Sequence, residues 1–336
     1  MSEKMAVLGA GSWGIAAANL LCSNGHRVAL WEYNRDDCIR LRENRTHKDK
    51  LPGIFLSDKI NITNSLEEAV KDAPIVILVV PAQKVREVTI ALAGLIDGPI
   101  KYVNLAKGVE MGTLMRTSEI IKATISGAND ECIATLSGPS HAEEVALNLP
   151  TSVVAASKNP EFAGEIQNIF SNRTFRVYRS QDIIGVELGG SLKNVIAIAS
   201  GITQGLGFGD NTTGALITRG LAEITRMGVK LGAEPLTFAG LSGIGDLVTT
   251  CISRHSRNRY VGEKIGRGEK LKDILAGMVM VAEGVDTCRA AKAMSDKHGV
   301  EMPITAEVYK VLFENKPASE AVADLMGRKL REEIWK

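Results

Sequence analysis

One lysine in the second half of the chain stands alone on a helical stripe of small residues. Lys193 has Gly189 four positions before it, and Ala197 and Gly201 at four and eight positions after it; residues spaced by four share a helix face. We expect this stripe to leave room for a ligand, with close helix packing as the alternative. Because burial lowers the pKa of a lysine, the pattern indicates Lys193 as the residue that exchanges a proton with a substrate.

A second chemical pattern lies near the start of the chain. Gly9, Gly11 and Gly14 form a GxGxxG motif directly after an apolar stretch and before a helical pattern. In this context the first glycine permits a tight turn, the second lets the backbone approach a pyrophosphate, and the third lets the helix pack closely on the strand. The motif predicts a dinucleotide-binding turn at a helix N-terminus, whose free N–H groups and dipole favour an anion.

An acidic residue follows the next predicted strand. Glu32 comes 18 residues after Gly14, where a carboxylate accepts hydrogen bonds from the ribose 2′-hydroxyl of NAD and repels the 2′-phosphate of NADP. Arg35 lies three residues further on and would favour NADP. We therefore predict NAD or NADP as the cofactor, with a preference for NADH that depends on Glu32; the alternative is a solvated carboxylate at a strand end.

Polar segments follow several predicted strands of the first half. In open α/β sheets, ligands bind outside the carboxyl ends of the strands. Lys107 would bring a cation to this edge, and Ser140 with Glu143 forms an S-x-x-E pattern typical of a helix cap. His141 is the one histidine at this edge. We expect it to be a core or surface side chain, because no second base or metal ligand is spaced with it.

Two segments of the second half also carry polar side chains. Residues 240–246 are rich in glycine and predict a flexible loop that presents Asp246 at a helix start. The run of Ser256, Arg257 and Asn258 holds donors suited to a phosphate, since an arginine can bind two phosphate oxygens at once. By spacing alone, an ordinary N-cap and a solvated basic turn explain these patterns equally well.

The elements that must position these residues alternate in the first half of the chain. Short β-branched runs separated by helical patterns predict a mostly parallel sheet with helices on both faces, with strands at 5–8, 27–31, 75–80, 102–105, 133–136 and 151–155. A long helix is expected at 181–207, followed by further helices. We predict an α/β fold with two domains: a doubly wound Rossmann domain at 1–185 that binds a dinucleotide, and an all-α domain at 186–336 that binds the substrate and carries the catalytic residue.

The composition is that of a globular protein. Hydrophobic residues make up 45% of the 336 positions and charged residues 24%, which excludes disorder of the bulk of the chain. The 40 Lys and Arg balance the 39 Asp and Glu, so there is no overall basic field for nucleic acid. Five widely spaced cysteines predict reduced thiols, no metal site and a cytoplasmic location, and no apolar run is long enough to predict a membrane span.

Motifs along nearly the whole chain resemble those of a known family. They are GAGSWG (9–14), LAKGVE (105–110), LSGPSHAEEVA (136–146), ELGGSLKNVIAIASG (187–201), GLSGIGDLVTTC (240–251), SRHSRNRYVG (253–262) and VAEGV (281–285). Together they resemble the bacterial-type NAD(P)-dependent glycerol-3-phosphate dehydrogenases. The resemblance implies reversible hydride transfer from NAD(P)H to dihydroxyacetone phosphate, which gives sn-glycerol 3-phosphate for glycerophospholipid synthesis.

The resemblance also implies roles for individual residues, with Lys193 as proton donor and acceptor. The substrate would be bound by Lys107, Gly138, Ser140, Lys193, Asp246, Ser256, Arg257 and Asn258. With the motif glycines and Glu32 included, the cofactor would be bound by Gly9, Gly11, Ser12, Trp13, Gly14, Glu32, Tyr33, Lys107, Ala142, Arg257, Val281 and Glu283. The family often has an arginine after the second strand for the phosphate of NADPH. Glu32 and Tyr33 stand there in this chain, in agreement with a preference for NADH.

Two other functions stay open. A non-catalytic redox sensor would use the same fold to bind NADH and present a helical surface to a partner, and another two-domain β-hydroxyacid or phosphosugar dehydrogenase would share the architecture. The set of Lys107, Lys193, Asp246 and Arg257 argues against the sensor, because a sensor needs no polar crevice for a substrate. The glycine-rich helical half is compatible with a symmetric homodimer.

Overall fold

The structure, a computed structural model, describes residues 3–96, 98–330 and 332–333. In the described part of the first half, eight strands form one sheet and two form a small hairpin. The strands are β1 (Lys4–Leu8), β2 (Arg27–Trp31), β3 (Thr46–His47), β4 (Leu51–Phe55), β5 (Asn61–Thr63), β6 (Ile75–Leu78), β7 (Lys101–Asn104), β8 (Ile133–Ser137), β9 (Thr151–Ala156) and β10 (Phe175–Ser180).

The large sheet is mostly parallel, as predicted. Its strand order is β10-β9-β8-β7-β6-β1-β2-β5, and the antiparallel pair is β8 with β9. All four residues of β6 are buried, which agrees with its continuous apolar sequence. The order reverses beside β1, where the chain first adds β2 on one side and later β6 on the other. The carboxyl ends of β1 and β6 therefore border the crevice in which ligands of such sheets bind.

Helices cover both faces of the sheet and form the second half of the chain. β1 shows the two faces: Met5 and Val7 belong to one hydrophobic cluster, and Ala6 and Leu8 to another. After β10 the described residues contain helices and no further strand, as predicted. The helices are α1 (Ser12–Ser23), α2 (Arg35–Asn44), α3 (Leu66–Val70), α4 (Val85–Ala93), α5 (Thr117–Thr124), α6 (Ala142–Ala146), α7 (Pro160–Phe170), α8 (Ile183–Gly205), α9 (Asp210–Lys230), α10 (Pro235–Phe238), α11 (Asp246–Ile252), α12 (Arg257–Gly266), α13 (Leu271–Ala276), α14 (Glu283–His298), α15 (Pro303–Phe313) and α16 (Ala318–Met326).

Helix α8 is the central helix of the second half. The side chain of Asp182 accepts a hydrogen bond from the backbone N–H of Gly185 (2.8 Å) and so fixes the start of the helix at Ile183. Almost all of its residues are buried, and α9, α11, α12 and α14 pack around it. The predicted boundary between residues 185 and 186 falls in the first turn of α8 and stays a prediction.

Among the residues that the structure describes, two stretches are long and apolar enough to cross a membrane by length and composition alone, Ile183–Gly205 and Pro235–Ile252. In the first, 94% of the apolar window is buried inside the protein, as expected for the core helix of a globular domain. In the second, 39% is buried, and it contains Asp246, which is 2% exposed and paired with two lysines. Neither stretch is a clear membrane span.

The small-residue stripe of α8 is filled by close packing, so the expectation of free space along it was wrong. A Cβ on Gly189 would lie 2.5 Å from the carbonyl oxygen of Ser242. From the opposite side, a Cβ on Gly262 of α12 would lie 2.0 Å from the carbonyl oxygen of Ile198. The glycines thus bring helix backbones together, and Lys193 is the member of the stripe that lines a cleft in the described part of the chain.

Candidate active site

A cleft of about 540 Å³ lies between the carboxyl edge of the sheet and the helical half. The predicted residues that line it are Gly9, Gly11, Ser12, Trp13, Glu32, Tyr33, Lys107, Ser140, Ala142, Lys193, Asp246, Ser256, Arg257, Asn258, Val281 and Glu283. Two predicted residues lie behind this surface: Gly14 packs against Gly9, and the carbonyl of Gly138 accepts a hydrogen bond from Lys107 (2.9 Å). The fold therefore brings polar residues of both halves to one cleft.

The turn between β1 and α1 has the shape that a dinucleotide needs. Gly9 has φ 117°, and a Cβ there would lie 3.0 Å from the backbone of Val79. A Cβ on Gly14 would lie 1.8 Å from the carbonyl oxygen of Gly9, so only glycine lets α1 pack on the turn. Among the described atoms, none lies within 4 Å of a Cβ built on Gly11, and no side chain caps α1. This open helix N-terminus fits a pyrophosphate.

Glu32 is buried, and its carboxylate is held within the protein. Oε1 accepts the backbone N–H two residues later (2.9 Å), and Oε2 lies 3.1 Å from Nζ of Lys50. Lys50 also pairs with Asp37 (3.4 Å) and lines the cleft. Sequence reasoning missed Lys50 because no motif marks a lysine in the loop between β3 and β4. Tyr33 is 73% exposed at the cleft, whereas Arg35, expected to favour NADP, is exposed and does not line the cleft.

Two lysines share one buried carboxylate in the cleft. Nζ of Lys193 donates to Oδ1 of Asp246 and to Oγ1 of Thr250 (2.7 Å). Nζ of Lys107 lies 2.8 Å from Oδ2 of the same aspartate. Sequence reasoning missed Thr250, although it lies one turn after Asp246 on α11 and therefore on the same face. Together these four side chains form a charge cluster largely shielded from solvent, with Lys107 at its more open side.

Asp246 is presented by a helical turn, so the prediction of a flexible loop was wrong. Leu241–Gly245 form a π-helical turn that continues directly into α11. A Cβ on Gly243 would lie 2.0 Å from the carbonyl oxygen of Phe238, so the glycine permits a close approach of the chain to α10. Insertions of this kind in helices are frequent at functional sites.

Burial and charge set the proton affinity of the cluster. Burial lowers the pKa of Lys193 to about 7, with Asp246 opposing and Lys107 reinforcing the shift. Burial works against ionisation of Asp246, but Lys107 and Lys193 together hold the pKa of this carboxyl below its ordinary value. Lys193 can therefore hold or release a proton near neutral pH while the carboxylate stays ionised.

The start of α12 brings three predicted residues to the cleft, and they differ in exposure and in their hydrogen bonds. Ser256 caps the helix by accepting a backbone N–H of its first turn (3.2 Å). Arg257 is exposed and donates one hydrogen bond to the carbonyl of Val281 (3.0 Å). Asn258 is buried, and its amide binds Asn194 and the backbone of α14. Arg257 therefore offers its remaining N–H groups to the cleft, whereas Asn258 also holds three helices together.

The segment before α14, residues 280–283, contacts the sheet-bearing half of the chain. Glu283 is partly buried, and its Oε1 accepts the backbone N–H of Ala82 (3.2 Å) in the segment that follows β6. Burial raises the pKa of Glu283 to about 7. Just before it, Val281 is half exposed, and Sδ of Met280 lies 3.1 Å from Oγ of Ser12. This segment therefore contacts both the turn after β1 and the loop after β6.

The predicted capping box at Ser140 and Glu143 was wrong. Helix α6 begins only at Ala142, so Ser140 lies one position too early to cap it. Oγ of Ser140 instead donates to the carbonyl of Gly138 (3.1 Å), the same carbonyl that accepts from Lys107. The loop after β8 is therefore tied to the charge cluster through Lys107.

The described cysteines and acidic side chains do not form a metal centre. In the described part of the chain, no three or more His, Cys, Asp or Glu side chains are grouped to hold a metal ion. The five cysteines are free, and Cys38, Cys251 and Cys288 are buried.

Comparisons with known proteins cover both halves of the chain. Family models described as NAD-dependent glycerol-3-phosphate dehydrogenase, N-terminus and C-terminus, match residues 4–163 and 182–323. A relative from Geobacter sulfurreducens, named glycerol-3-phosphate dehydrogenase (NAD(P)+), is 50% identical over 335 residues. The alignment covers 100% of this chain and 100% of the relative. A relative of the same name from Bacillus cytotoxicus is 50% identical over 331 residues, 98% of this chain and 97% of the relative.

A solved structure agrees with these matches. The crystal structure of a glycerol-3-phosphate dehydrogenase from Coxiella burnetii aligns with a TM-score of 0.94 and 36% identity, over 97% of this chain and 99% of the other. Sequence and fold therefore lead to the same conclusion over nearly the full length: the chain belongs to the NAD-dependent glycerol-3-phosphate dehydrogenase family.

Proposed function

We propose that this chain reduces dihydroxyacetone phosphate with NADH to sn-glycerol 3-phosphate and catalyses the reverse reaction. The observation that carries the proposal is the cluster of Lys107, Asp246 and Lys193, which faces the same cleft as the dinucleotide turn. A ketone placed beside this cluster has ammonium groups close to its oxygen, where negative charge develops during reduction. The names of the relatives support the same activity.

The residues present fit a dinucleotide, as the open turn after β1 indicates. When bound, the nicotinamide supplies a hydride from its C4 to the ketone carbon. The residues that would hold the cofactor are Gly9, Gly11, Ser12, Trp13, Gly14, Glu32, Tyr33, Lys107, Ala142, Arg257, Val281 and Glu283.

Lys193 handles the proton in both directions. Its protonated Nζ donates to the oxygen of the forming alkoxide during reduction, and its neutral Nζ takes the proton from the hydroxyl group during oxidation. Asp246 and Thr250 hold Nζ in place. Lys107, anchored to the same carboxylate, adds a second positive charge near the substrate oxygens.

The start of α12 is the best site for the phosphate of the substrate. Arg257 offers its exposed guanidinium, and the N-terminus of this ten-residue helix attracts an anion. The hydroxyl hydrogen of Ser256 remains available to donate to the phosphate. Asn258, one residue after Arg257, is the third residue that would bind it. On the opposite wall, Ser140 would contact the carbon chain. Gly138, behind this surface, would act on the substrate through Lys107, which donates to its carbonyl.

The activity is tested by steady-state oxidation of NADH and of NADPH with dihydroxyacetone phosphate. We expect turnover that needs this substrate, with no turnover on β-keto acids or other phosphosugars. Faster turnover on one of those compounds would favour the rival dehydrogenase. NADH binding without turnover on any of them would favour the sensor.

The preference for NADH is tested at Glu32. Glu32→Ala removes the acceptor for the ribose hydroxyl and one of the two carboxylates that pair with Lys50, which favours a 2′-phosphate there. The ratio of kcat/KM for NADH over NADPH should therefore fall roughly 10-fold, the loss expected for a hydrogen bond to a charged group. Asp36→Ala, a nearby exposed acid that does not line the cleft, is the matched control and should leave the ratio unchanged. The predicted role of Glu32 would be contradicted if the wild type preferred NADPH and Glu32→Ala had the same ratio of kcat/KM for the two cofactors.

We also propose a homodimer in the cytoplasm that supplies glycerol 3-phosphate for glycerophospholipid synthesis. The helical half exposes apolar side chains such as Leu236, Ile252 and Val229, which supports association of two copies. The free cysteines support a reducing compartment. Light scattering after size-exclusion chromatography tests the dimer, and cell fractionation tests the location.

A further inference from the structure

His141 lies at the wall of the cleft, although its sequence context predicted a core or surface side chain. It is the N-cap residue of α6, in the loop after β8, but its side chain makes no capping hydrogen bond. The residue lines the cleft beside Ser140, with Lys193 and Asp246 on the same cavity surface. Its imidazole is therefore committed to no structural role in the helix that it precedes.

The Nε2 atom of His141 is buried and has no hydrogen-bond partner in the protein. Buried polar atoms nearly always have such a partner, and each exception needs an explanation. Among the described residues that line the cleft, His141 is the one that carries a buried, unpartnered side-chain nitrogen or oxygen. An atom of this kind at a cavity wall indicates that the partner is a bound molecule.

The charges around His141 decide which kind of hydrogen bond it can make. The titratable groups that act on it are Lys193, Lys107, Asp246 and His255, whose ring centroid lies 6.0 Å away on the helical half. Burial, reinforced by the two lysines and opposed by Asp246, lowers the pKa of His141 to about 4. The imidazole is therefore neutral near pH 7, and one of its two nitrogens is an acceptor.

This part of the cleft has ample donors and few acceptors. Both carboxylate oxygens of Asp246 are taken, one by Lys193 and the other by Lys107. The carbonyl of Gly138 also accepts from Lys107. The ammonium groups suit the ketone oxygen of dihydroxyacetone phosphate, but the free hydroxyl group of this substrate must donate its hydrogen and needs a further acceptor.

We propose that His141 is a substrate-binding residue whose Nε2 accepts the hydrogen bond of the free hydroxyl group of dihydroxyacetone phosphate. The inference rests on the proposed function and extends it to the choice of substrate. With the hydroxyl end at His141 and the phosphate at Arg257, the ketone would lie in the part of the molecule where Lys193 lines the same cleft. His141 therefore selects hydroxyketone phosphates over ketone phosphates that lack the hydroxyl group.

The test compares two substrates and three forms of the full-length protein. Acetol phosphate, in which hydrogen replaces the free hydroxyl group, should be used by the wild type roughly 3- to 10-fold less efficiently than dihydroxyacetone phosphate, measured as kcat/KM. His141→Leu keeps the bulk but removes the acceptor, and should use the two substrates equally well. His141→Gln places an amide oxygen near the position of Nε2 and should restore most of the preference. The Kd for NADH, measured by fluorescence, should be the same in all three forms.

Several outcomes would overturn the inference. An equal kcat/KM for the two substrates in the wild type would show that the hydroxyl group is not recognised, and this result needs no variant to fold. An unchanged preference in His141→Leu would show that another group recognises it. A wild type without any turnover of dihydroxyacetone phosphate would instead overturn the proposed function, so the two failures are distinguishable.

Discussion

The proton chemistry depends on how two lysines share one buried carboxylate. Asp246 stays ionised because Lys107 and Lys193 both interact with it, although its burial opposes the charge. In turn, burial lowers the pKa of Lys193 to about 7. Charges shielded from water interact more strongly, so the cluster holds together while Lys193 exchanges its proton near neutral pH.

The two directions of the reaction should have opposite pH dependence. Reduction needs protonated Lys193, so its kcat/KM should fall as the pH rises through about 7; oxidation needs the neutral amine, so its kcat/KM should rise through the same range. Steady-state assays of both directions from about pH 5.5 to about pH 9 measure this. Glu283→Gln is the control, because the pKa of Glu283 also lies at about 7. If kcat/KM changed with pH in the same sense in both directions, Lys193 would not be the group that exchanges the proton. The same conclusion would follow if the pH dependence disappeared in Glu283→Gln, because Glu283 would then be the titrating group.

The sequence predicts the charged members of the site better than their neutral partners. Lys193, Lys107 and Asp246 stand in motifs, so their types and spacing indicate chemistry without coordinates. Lys50 and Thr250 become part of the site only through tertiary contacts, to Glu32 in one case and to Lys193 in the other. A hydrogen bond between residues far apart in the chain leaves no periodic signal that could reveal it.

At the scale of elements, the crossing of α8 and α12 supports the helical wall of the cleft. Glycines bring the two backbones together, since a Cβ on Gly262 would lie 2.0 Å from the carbonyl oxygen of Ile198 and one on Gly201 would lie 2.0 Å from that of Arg259. This contact holds the start of α12, with Arg257, close to the part of α8 that carries Lys193. The crossing therefore sets the distance between the predicted phosphate site and the proton donor.

Gly262→Ala should destabilise the protein, because the added methyl group meets backbone atoms that cannot move aside. We expect a loss of about 1 to 3 kcal/mol in the free energy of unfolding, measured by urea denaturation. Gly214→Ala in α9 is the matched control, because it is exposed and no described atom lies within 4 Å of its added Cβ. It should be neutral or stabilise by up to about 1 kcal/mol. Equal effects of the two substitutions would refute the packing argument.

The long helix and the apolar strands of the sheet were predictable, whereas a charged edge strand and a three-residue strand were not. The helix expected at 181–207 is observed at Ile183–Gly205, because its apolar pattern spans many turns. The edge strand β10 was missed: it alternates buried residues such as Phe175 with exposed ones such as Arg176, and its charges conceal the strand pattern. Strand β5, with three residues, is too short for any period to show.

At the scale of the whole molecule, the cleft exists only when the two halves are docked. Polar contacts join them at several places, among them Lys107 with Asp246, Glu283 with the backbone after β6, and Arg116 with Glu187 (2.6 Å). Glu187 is buried on α8, where it also accepts from Ser118 (2.9 Å). Such buried pairs are costly to break singly, so docking of the halves and assembly of the site occur together.

The pH dependence of global stability can be tested at Glu223. This buried carboxyl accepts the backbone N–H groups of Ile304 (2.6 Å) and Thr305 (3.2 Å), and its burial raises its pKa from 4.5 to about 7. The stability that such a group contributes is fully present below about pH 4.5 and is lost as the pH rises through about 7. Relative to Glu223→Gln, the wild type should therefore lose stability over this range, measured by urea unfolding at several pH values. Glu320→Gln, an exposed control, should leave the slope unchanged; the same slope in Glu223→Gln as in the wild type would contradict the prediction.

The most direct test of the proposed mechanism is the turnover of dihydroxyacetone phosphate by Lys193→Ala. A group that supplies general acid catalysis contributes about 10²- to 10⁴-fold to the rate, so kcat should fall by that factor. The Kd for NADH should stay the same, since Lys193 is not among the residues that would hold the cofactor. If Lys193→Ala instead turns over at the wild-type rate while binding NADH normally, the proton comes from another group and the proposed role of Lys193 is wrong.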